Sequence, residues 1–370
     1  MVLLNDFVRQ WAEIRGDVAL ALEAVGASGH YILGPSVTAF EEQLGRFCGT
    51  RHVVGVGNGL DAIAIALRAT GCGPGQKVLT TPLSAFATTL AVMQLGAIPC
   101  FVDVDDTGLM DLDLVEEALS RTTSIRFLLP VHLYGRALHL GRLRSLGDKY
   151  GVCIIEDCAQ AMGAKHGNVA VGTVGAAAAL SFYPTKNLGC IGDGGALLTN
   201  DDVLAERARA LRNYGQSSRY VHDHFGLNSR LDELQARIMS AALLPRLVGW
   251  NDRRVAIARA YCRGIANPAL VTPPFSSGPV WHLYPLLVRH GDRGAFQAHL
   301  DARGVQNGIH YPRLISDQGA LATYGKFEIL GSLGRAQSFA EQEVSLPIHP
   351  YLTDPEIEIV VGACNSWRPA

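Results

Sequence analysis

Charge is scarce in this sequence. Only 18% of its 370 residues are charged, and 32 basic side chains against 34 acidic ones leave a formal net charge of -2. A chain so near neutrality has no global field for nucleic acid or an anionic membrane, so no such partner is expected, and any anionic ligand must be held by local groups. Long apolar runs are missing too. No uninterrupted stretch can span a bilayer, and Met1 to Asp6 lacks the basic segment and apolar run of a signal peptide. The eight cysteines (Cys48, Cys72, Cys100, Cys153, Cys158, Cys190, Cys262, Cys364) form no CxxC pair and no His/Cys spacing that suits zinc, so no metal is expected. Most, such as Cys153 between Val152 and Ile154, read as small buried hydrophobes, and a reducing cytoplasm is the expected compartment.

What is present is apolar mass: 48% hydrophobic residues over this length suffice for one large core and a smaller second domain. Helical periodicity covers Asp17 to Val25 and Val37 to Cys48, the second after the breaker Gly34-Pro35 with Ser36 as its expected N-cap. From His52 the pattern changes to short apolar strands alternating with helices, through Val78 to Thr81, Cys100 to Val104, Ile125 to Pro130, Val152 to Asp157 and Ala177 to Tyr183. Such alternation predicts a mostly parallel sheet covered on both faces, with ligands at the carboxyl ends of its strands. The run from Gly226 to Ala236 opens a long helix reaching the 240s and 250s, and the boundary is expected there: residues 1–245 as a large domain, 246–370 as a small C-terminal one. New strands near Val280 to Val288 and a helix over Arg293 to Gly304 follow.

Three strand ends carry chemistry. After His52 to Gly57, the turn Asn58-Gly59 leads into an apolar helix start at Leu60, placing free backbone N–H groups and a helix dipole at one spot. Gly55, Gly57 and Gly59 lack the dinucleotide spacing GxGxxG, and no P-loop lysine follows, so a phosphate monoester fits better than NAD or ATP. An ordinary strand-to-helix turn fits the same residues. Asp157 closes its strand, where a carboxylate either caps the next segment or bonds the protonated ring nitrogen of pyridoxal phosphate (PLP). Lys186 sits between the β-prone Ser181-Phe182-Tyr183 and a loop with Gly189, Gly192, Gly194 and Gly195, whose backbone can pass close to a flat cofactor. It reads as the carrier of a PLP Schiff base.

These residues lie in GNGLDA (Gly57 to Ala62), PVHLYGR (Pro130 to Arg136), EDCAQA (Glu156 to Ala161), SFYPTKNLG with GDGG (Ser181 to Gly195) and NSRLDELQA (Asn228 to Ala236). With them the chain resembles, over nearly its whole length, the DegT/StrS family of PLP-dependent nucleotide-sugar aminotransferases, of the aspartate-aminotransferase fold type. The resemblance implies an α/β fold with a mostly parallel central sheet sandwiched by helices and a smaller C-terminal α+β domain. It implies that Lys186 holds the cofactor and then acts as the base that moves the proton. It gives Asp157 to the pyridine nitrogen, Gln160 to the 3-oxygen, Phe86 to the ring face, and Ser181 with the amides of Gly59 and Leu60 to the phosphate. Asn228 would reach that phosphate from a second subunit, implying a homodimer with shared active sites. Leu60 stands where many relatives have threonine, and Pro82 to Thr88 departs from the usual threonine-aromatic sequence.

The implied reaction moves an amino group from L-glutamate, leaving 2-oxoglutarate, to a nucleotide-linked keto-sugar, with the branch acting at C3 of dTDP-linked 3-keto-6-deoxyhexoses the nearest match. Tyr183, His310, Tyr311 and a partner-supplied Arg219 would contact the sugar and its pyrophosphate. Alternatives are amination at C4, a UDP- or GDP-linked substrate, a dehydratase of the same family, which Lys186 opposes because histidine replaces the lysine there, and a non-catalytic regulatory protein on the same fold, for which no helix-turn-helix or basic face is seen.

Overall fold

The computed structural model describes residues 1–276, 278–290 and 292–369. Its centre is an eight-stranded sheet, in the order His52–Val56, Gly195–Thr199, Ala177–Ser181, Cys153–Asp157, Ile125–Leu128, Lys77–Thr80, Ile98–Phe101 and Glu328–Ile329. Only Gly195–Thr199 runs antiparallel to its neighbours; every other adjacent pair is parallel. Successive strand residues point to opposite faces, and both faces are apolar. Val53, Leu79, Leu128, Ile154, Ala178 and Leu198 join one buried cluster, with Phe40 and Leu44 from the helix Pro35–Cys48. Their neighbours Val54, Val78, Phe127, Ile155, Ala177 and Leu197 join another, with Ile63 and Leu67 from Gly59–Ala69. This is the helix-covered parallel sheet the alternation predicts.

A second, three-stranded antiparallel sheet pairs Leu270–Val271, Tyr284–Val288 and Glu343–Leu346. It has its own core, in which Trp281, Tyr284, Phe296 and Trp367 pack with Ile257 and Val360 from the helices Leu247–Gly264 and Asp354–Ser366. The chain crosses between the two units more than once. Val2 bridges Val305 and belongs to the second core, while Glu328–Ile329 adds the edge strand of the main sheet.

Three local expectations are corrected. The first helix spans Phe7–Ser28 rather than Asp17 to Val25: Asp6 caps it, and its exposed Phe7, Val8 and Trp11 blur the apolar stripe that marks a helix in sequence. The second begins at Pro35, with Gly34 at the N-cap, and Ser36 is not the cap. The Glu233 carboxylate accepts from the amides of Ser36 (2.9 Å) and Val37 (2.8 Å), so a side chain almost two hundred residues away does the capping. The long helix opens at Glu233, not Gly226, and Asn228 is extended and exposed. From there a π-helical turn at Met239–Leu243 and a tight turn at Leu244–Arg246, which contains Pro245, carry the chain into Leu247–Gly264.

Candidate active site

The parallel topology brings the strand ends at Val56, Asp157 and Ser181 to one edge of the sheet. At the first, Asn58 caps the helix Gly59–Ala69 by accepting from the Asp61 amide at 2.8 Å, leaving the Gly59 and Leu60 amides in the turn whose N–H groups have no intrahelical acceptor. Gly59 must be glycine: a Cβ there would lie 2.7 Å from Ser181 Cβ. Gly195, paired with Ser181 in the sheet, is equally confined, its Cβ position falling 2.4 Å from the Asn58 carbonyl carbon. Two strands and a helix start thus close on a cradle with two free amides, a hydroxyl and a positive dipole end, suited to a phosphate. Gly59→Ala is expected to weaken PLP binding to the apoprotein about five- to 150-fold, because opening the cradle carries an overpacking cost of about 1–3 kcal/mol. An absorbance titration measures this, and wild-type affinity would contradict the cradle.

Asp157 is buried at 4% exposure. Its Oδ2 accepts from Thr88 Oγ1 at 2.8 Å and its Oδ1 from the Ala159 amide at 3.1 Å. Burial raises its pKa, against the pull of those donors and of Lys186. A buried anion held only by neutral donors is incompletely compensated and suits a cationic N–H partner. Lys186 is half-buried as a residue, but desolvation of its amine lowers the pKa to about 8 despite the opposing pull of Asp157. Above that pH the amine is neutral and nucleophilic. In the cofactor-free protein, aldehyde addition trapped by borohydride is therefore expected to rise through about pH 8 at Lys186, well below the 10.5 of an ordinary lysine. A profile that climbs only near the ordinary value would contradict this.

Lys186, Tyr183, His310 and Tyr311 line one cavity of about 270 Å³. Gln160 ties its wall together: Oε1 accepts from the Tyr134 amide at 2.7 Å, and Nε2 donates to the Tyr311 hydroxyl at 3.1 Å. The Tyr134 hydroxyl donates to the His310 carbonyl, and His310 Nδ1 lies 2.9 Å from Ser345 Oγ. Phe86, the first residue of the helix Phe86–Gln94 that also carries Thr88, packs partly buried against Phe101, Ile315 and Leu321. A carboxylate for a ring nitrogen, an amine of lowered pKa, a phosphate cradle and an aromatic at one strand edge together fit PLP.

Residues 12–365 match the DegT/DnrJ/EryC1/StrS aminotransferase family. The chain belongs to this family. It is similar to the dTDP-3-amino-3,4,6-trideoxy-alpha-D-glucose transaminase of Streptomyces venezuelae, with 44% identity over 98% of this chain and 95% of that protein. It is also similar to the UDP-2-acetamido-2-deoxy-3-oxo-D-glucuronate aminotransferase of Pseudomonas aeruginosa, at 36% identity over 99% of this chain and 100% of the relative. Among solved structures, S. venezuelae DesV in complex with a ketimine intermediate superposes with a TM-score of 0.93, at 42% identity, covering 99% of this chain and 98% of that one.

In this DegT/DnrJ/EryC1/StrS aminotransferase, Gly59, Leu60, Phe86, Asp157, Gln160 and Ser181 are not among the residues that line the cavity, and two further expected site residues are exposed outside it. Arg219 lies in the exposed hairpin formed by Gln216–Ser218 and Val221–His222, over the ring of Tyr220, and Asn228 is exposed beyond it. The structure also adds residues that sequence reasoning missed. Thr88 holds Asp157; Ser229 accepts from the Gly57 amide at 3.0 Å and donates to Asp61 at 2.6 Å, pinning the glycine turn. The position of Ser229 beside Asn228 in a family motif was the available signal. His282, Arg254 and His349 reach the Lys186 cavity from the second unit, and none of them was expected from the sequence. His132, Glu156 and Cys158 cluster beneath Asp157, but Glu156 already accepts from His132 and from the amides of Gly172, Val174 and Gly175, so its oxygens are committed to holding the strand end.

Proposed function

We propose that the chain transfers an amino group from L-glutamate to C3 of a dTDP-linked 3-keto-6-deoxyhexose, with PLP held at Lys186. The observation that carries the reaction class is the Lys186 amine, desolvated to a pKa of about 8 in a cavity shared with Tyr183, His310 and Tyr311. Similarity to a dTDP-3-amino-sugar transaminase over almost the full chain supports the substrate. When bound, PLP supplies an electron sink for the carbanion at the substrate carbon and stores the amino group between the two half-reactions. The protein does the rest. Asp157 accepts from the protonated ring nitrogen, and the Gly59 and Leu60 amides with the Ser181 hydroxyl hold the phosphate. Gln160 lies toward the 3-oxygen and Phe86 against the ring. Lys186 would move the proton between the substrate carbon and the cofactor carbon, a base role its amine can take once neutral, above about pH 8.

In this reading residues 1–245 form the cofactor-binding unit, and 246–370 a smaller one that completes the cavity. Tyr183, His310 and Tyr311 contact the sugar. Arg219 and Asn228 come from a second copy, Asn228 to the phosphate and Arg219 to the pyrophosphate. Their exposure, with that of Tyr220 (77%) and Phe225 (84%) on the same stretch, supports a covering partner. Mixing inactive Lys186→Ala and Asn228→Ala chains is then expected to restore part of the activity through hybrid dimers, since one site in each hybrid keeps both residues. Equal inactivity of mixture and parents would count against a shared site.

A UDP-linked substrate is the second reading, favoured by the similarity to an aminotransferase for a UDP-linked 3-oxo sugar. A panel of dTDP-, UDP- and GDP-linked 3-keto and 4-keto sugars, ranked by kcat/KM with glutamate as donor, separates the two. The dTDP-linked 3-keto-6-deoxyhexose is expected to lead; a UDP-linked or 4-keto leader would replace it.

A further inference from the structure

The cavity beside Lys186 has a wall to which none of these roles is assigned. Arg254, on the helix Leu247–Gly264, is 5% exposed and lines the cavity. Its Nη1 donates to the carbonyls of Ile348 (3.0 Å) and His282 (3.5 Å), while its Nε has no partner. Among the described residues no carboxylate lies within ion-pair distance of it, although nearly buried arginines are normally paired. Asp6, the acid on the adjoining wall, is engaged with the Arg9 amide at 2.9 Å and the Arg9 guanidinium at 3.2 Å. Glu343 is turned to the His310 amide and Ser345.

His349 stands next to Arg254 on the same wall, 4% exposed, with both ring nitrogens unpartnered. The Leu3 carbonyl lies beside the ring and favours its protonated form, yet outside hydrogen-bond geometry. Burial and the neighbouring Arg254 push its pKa down to about 4, so at neutral pH it is a neutral ring with one N–H to offer. A guanidinium without a carboxylate and an imidazole without a protein partner, both nearly buried and both lining one cavity, are donors suited to an anion.

Resting on the aminotransferase reading, we propose that Arg254 and His349 anchor the α-carboxylate of the amino donor. The α-carboxylate is bonded directly to the carbon that reacts, so its anchor must border the same cavity as Lys186, and Arg254 does. A sugar's diphosphate lies several bonds from the keto carbon, with the nucleotide beyond it, so neither has to reach the wall beside Lys186. The inner wall therefore suits a small dicarboxylate, and the sugar enters with its nucleotide outside.

The test uses the holoenzyme. Arg254→Gln is expected to raise the KM for glutamate about ten- to a hundredfold, the loss of a charge-assisted hydrogen bond, and to change the KM for the nucleotide sugar less than about twofold. Calorimetric titration with glutarate, an inert dicarboxylate, is expected to weaken by the same factor, and Arg254→Lys to recover part of it. Unchanged glutamate and glutarate affinity overturns the proposal. A loss that falls on the nucleotide sugar instead assigns the anchor to the diphosphate and overturns it equally. Should Arg254→Gln fail to fold, His349→Gln decides: weaker glutarate binding supports the anchor, and unchanged binding sinks it. An inactive wild type on every keto-sugar would defeat the proposed function alone, because glutarate binding still reports on Arg254.

Discussion

Replacing Lys186 with alanine is expected to lower turnover about 10⁴-fold or more while the apoprotein melts no lower than wild type. The loss is large because the proposed mechanism asks one residue for both the attachment and the proton transfer, and positioned acid–base groups alone are worth about 10²–10⁴-fold. The retained stability follows from the sign of the pKa shift. A lysine lowered from 10.5 to about 8 in the folded state carries a proton that unfolding makes easier to hold, so below pH 8 its charge opposes folding by on the order of 3 kcal/mol. Alanine removes that cost and leaves a small void whose penalty is of comparable size. Wild-type turnover in Lys186→Ala would end the assignment. A collapse in melting temperature would mean that the amine is structural.

The second large effect is expected at Asp157. Asp157→Asn keeps the shape, and the amide oxygen can still accept from Thr88 or Ala159, but it offers no negative charge to a protonated ring nitrogen. Breaking a buried charged pair by removing one partner costs about 3–5 kcal/mol, which in a transition state is about 10²- to 10⁴-fold in kcat. The apoprotein should again be no less stable, because burial raises the Asp157 pKa, and the carboxylate is a cost to folding that grows as pH rises from the ordinary value toward the raised one. Asp157→Asn with kcat within about threefold of wild type would remove the ring-nitrogen role. In the proposed mechanism these two residues oppose fold stability and favour chemistry, as preorganised sites do.

Much of the site was legible because its parts are local. The strand end at Asp157, the lysine after Ser181-Phe182-Tyr183 and the Asn58-Gly59 turn are short motifs whose chemistry depends on neighbouring backbone. The topology then brings the three strand ends together at one edge. What escaped are groups whose partners are far away in sequence: Glu233 capping the helix at Pro35, Ser229 bracing Gly57, Thr88 on Asp157, and Arg254 with His349 on the cavity wall. Arg254 shares the helical stripe of Trp250, Ile257 and Tyr261, but that periodicity does not show that its guanidinium lines a cavity. Element boundaries failed where apolar residues face outward, as at Phe7 and Trp11, or where a loop mimics helical composition, as before Glu233.

The most direct measurement is transfer of label from 15N-glutamate to a dTDP-linked 3-keto-6-deoxyhexose by the purified holoenzyme, with the product's labelled position read by NMR. The expected result is 15N on C3 and one 2-oxoglutarate released per amino sugar formed. Label on C4, or 2-oxoglutarate released with no labelled sugar, would contradict amino transfer to C3.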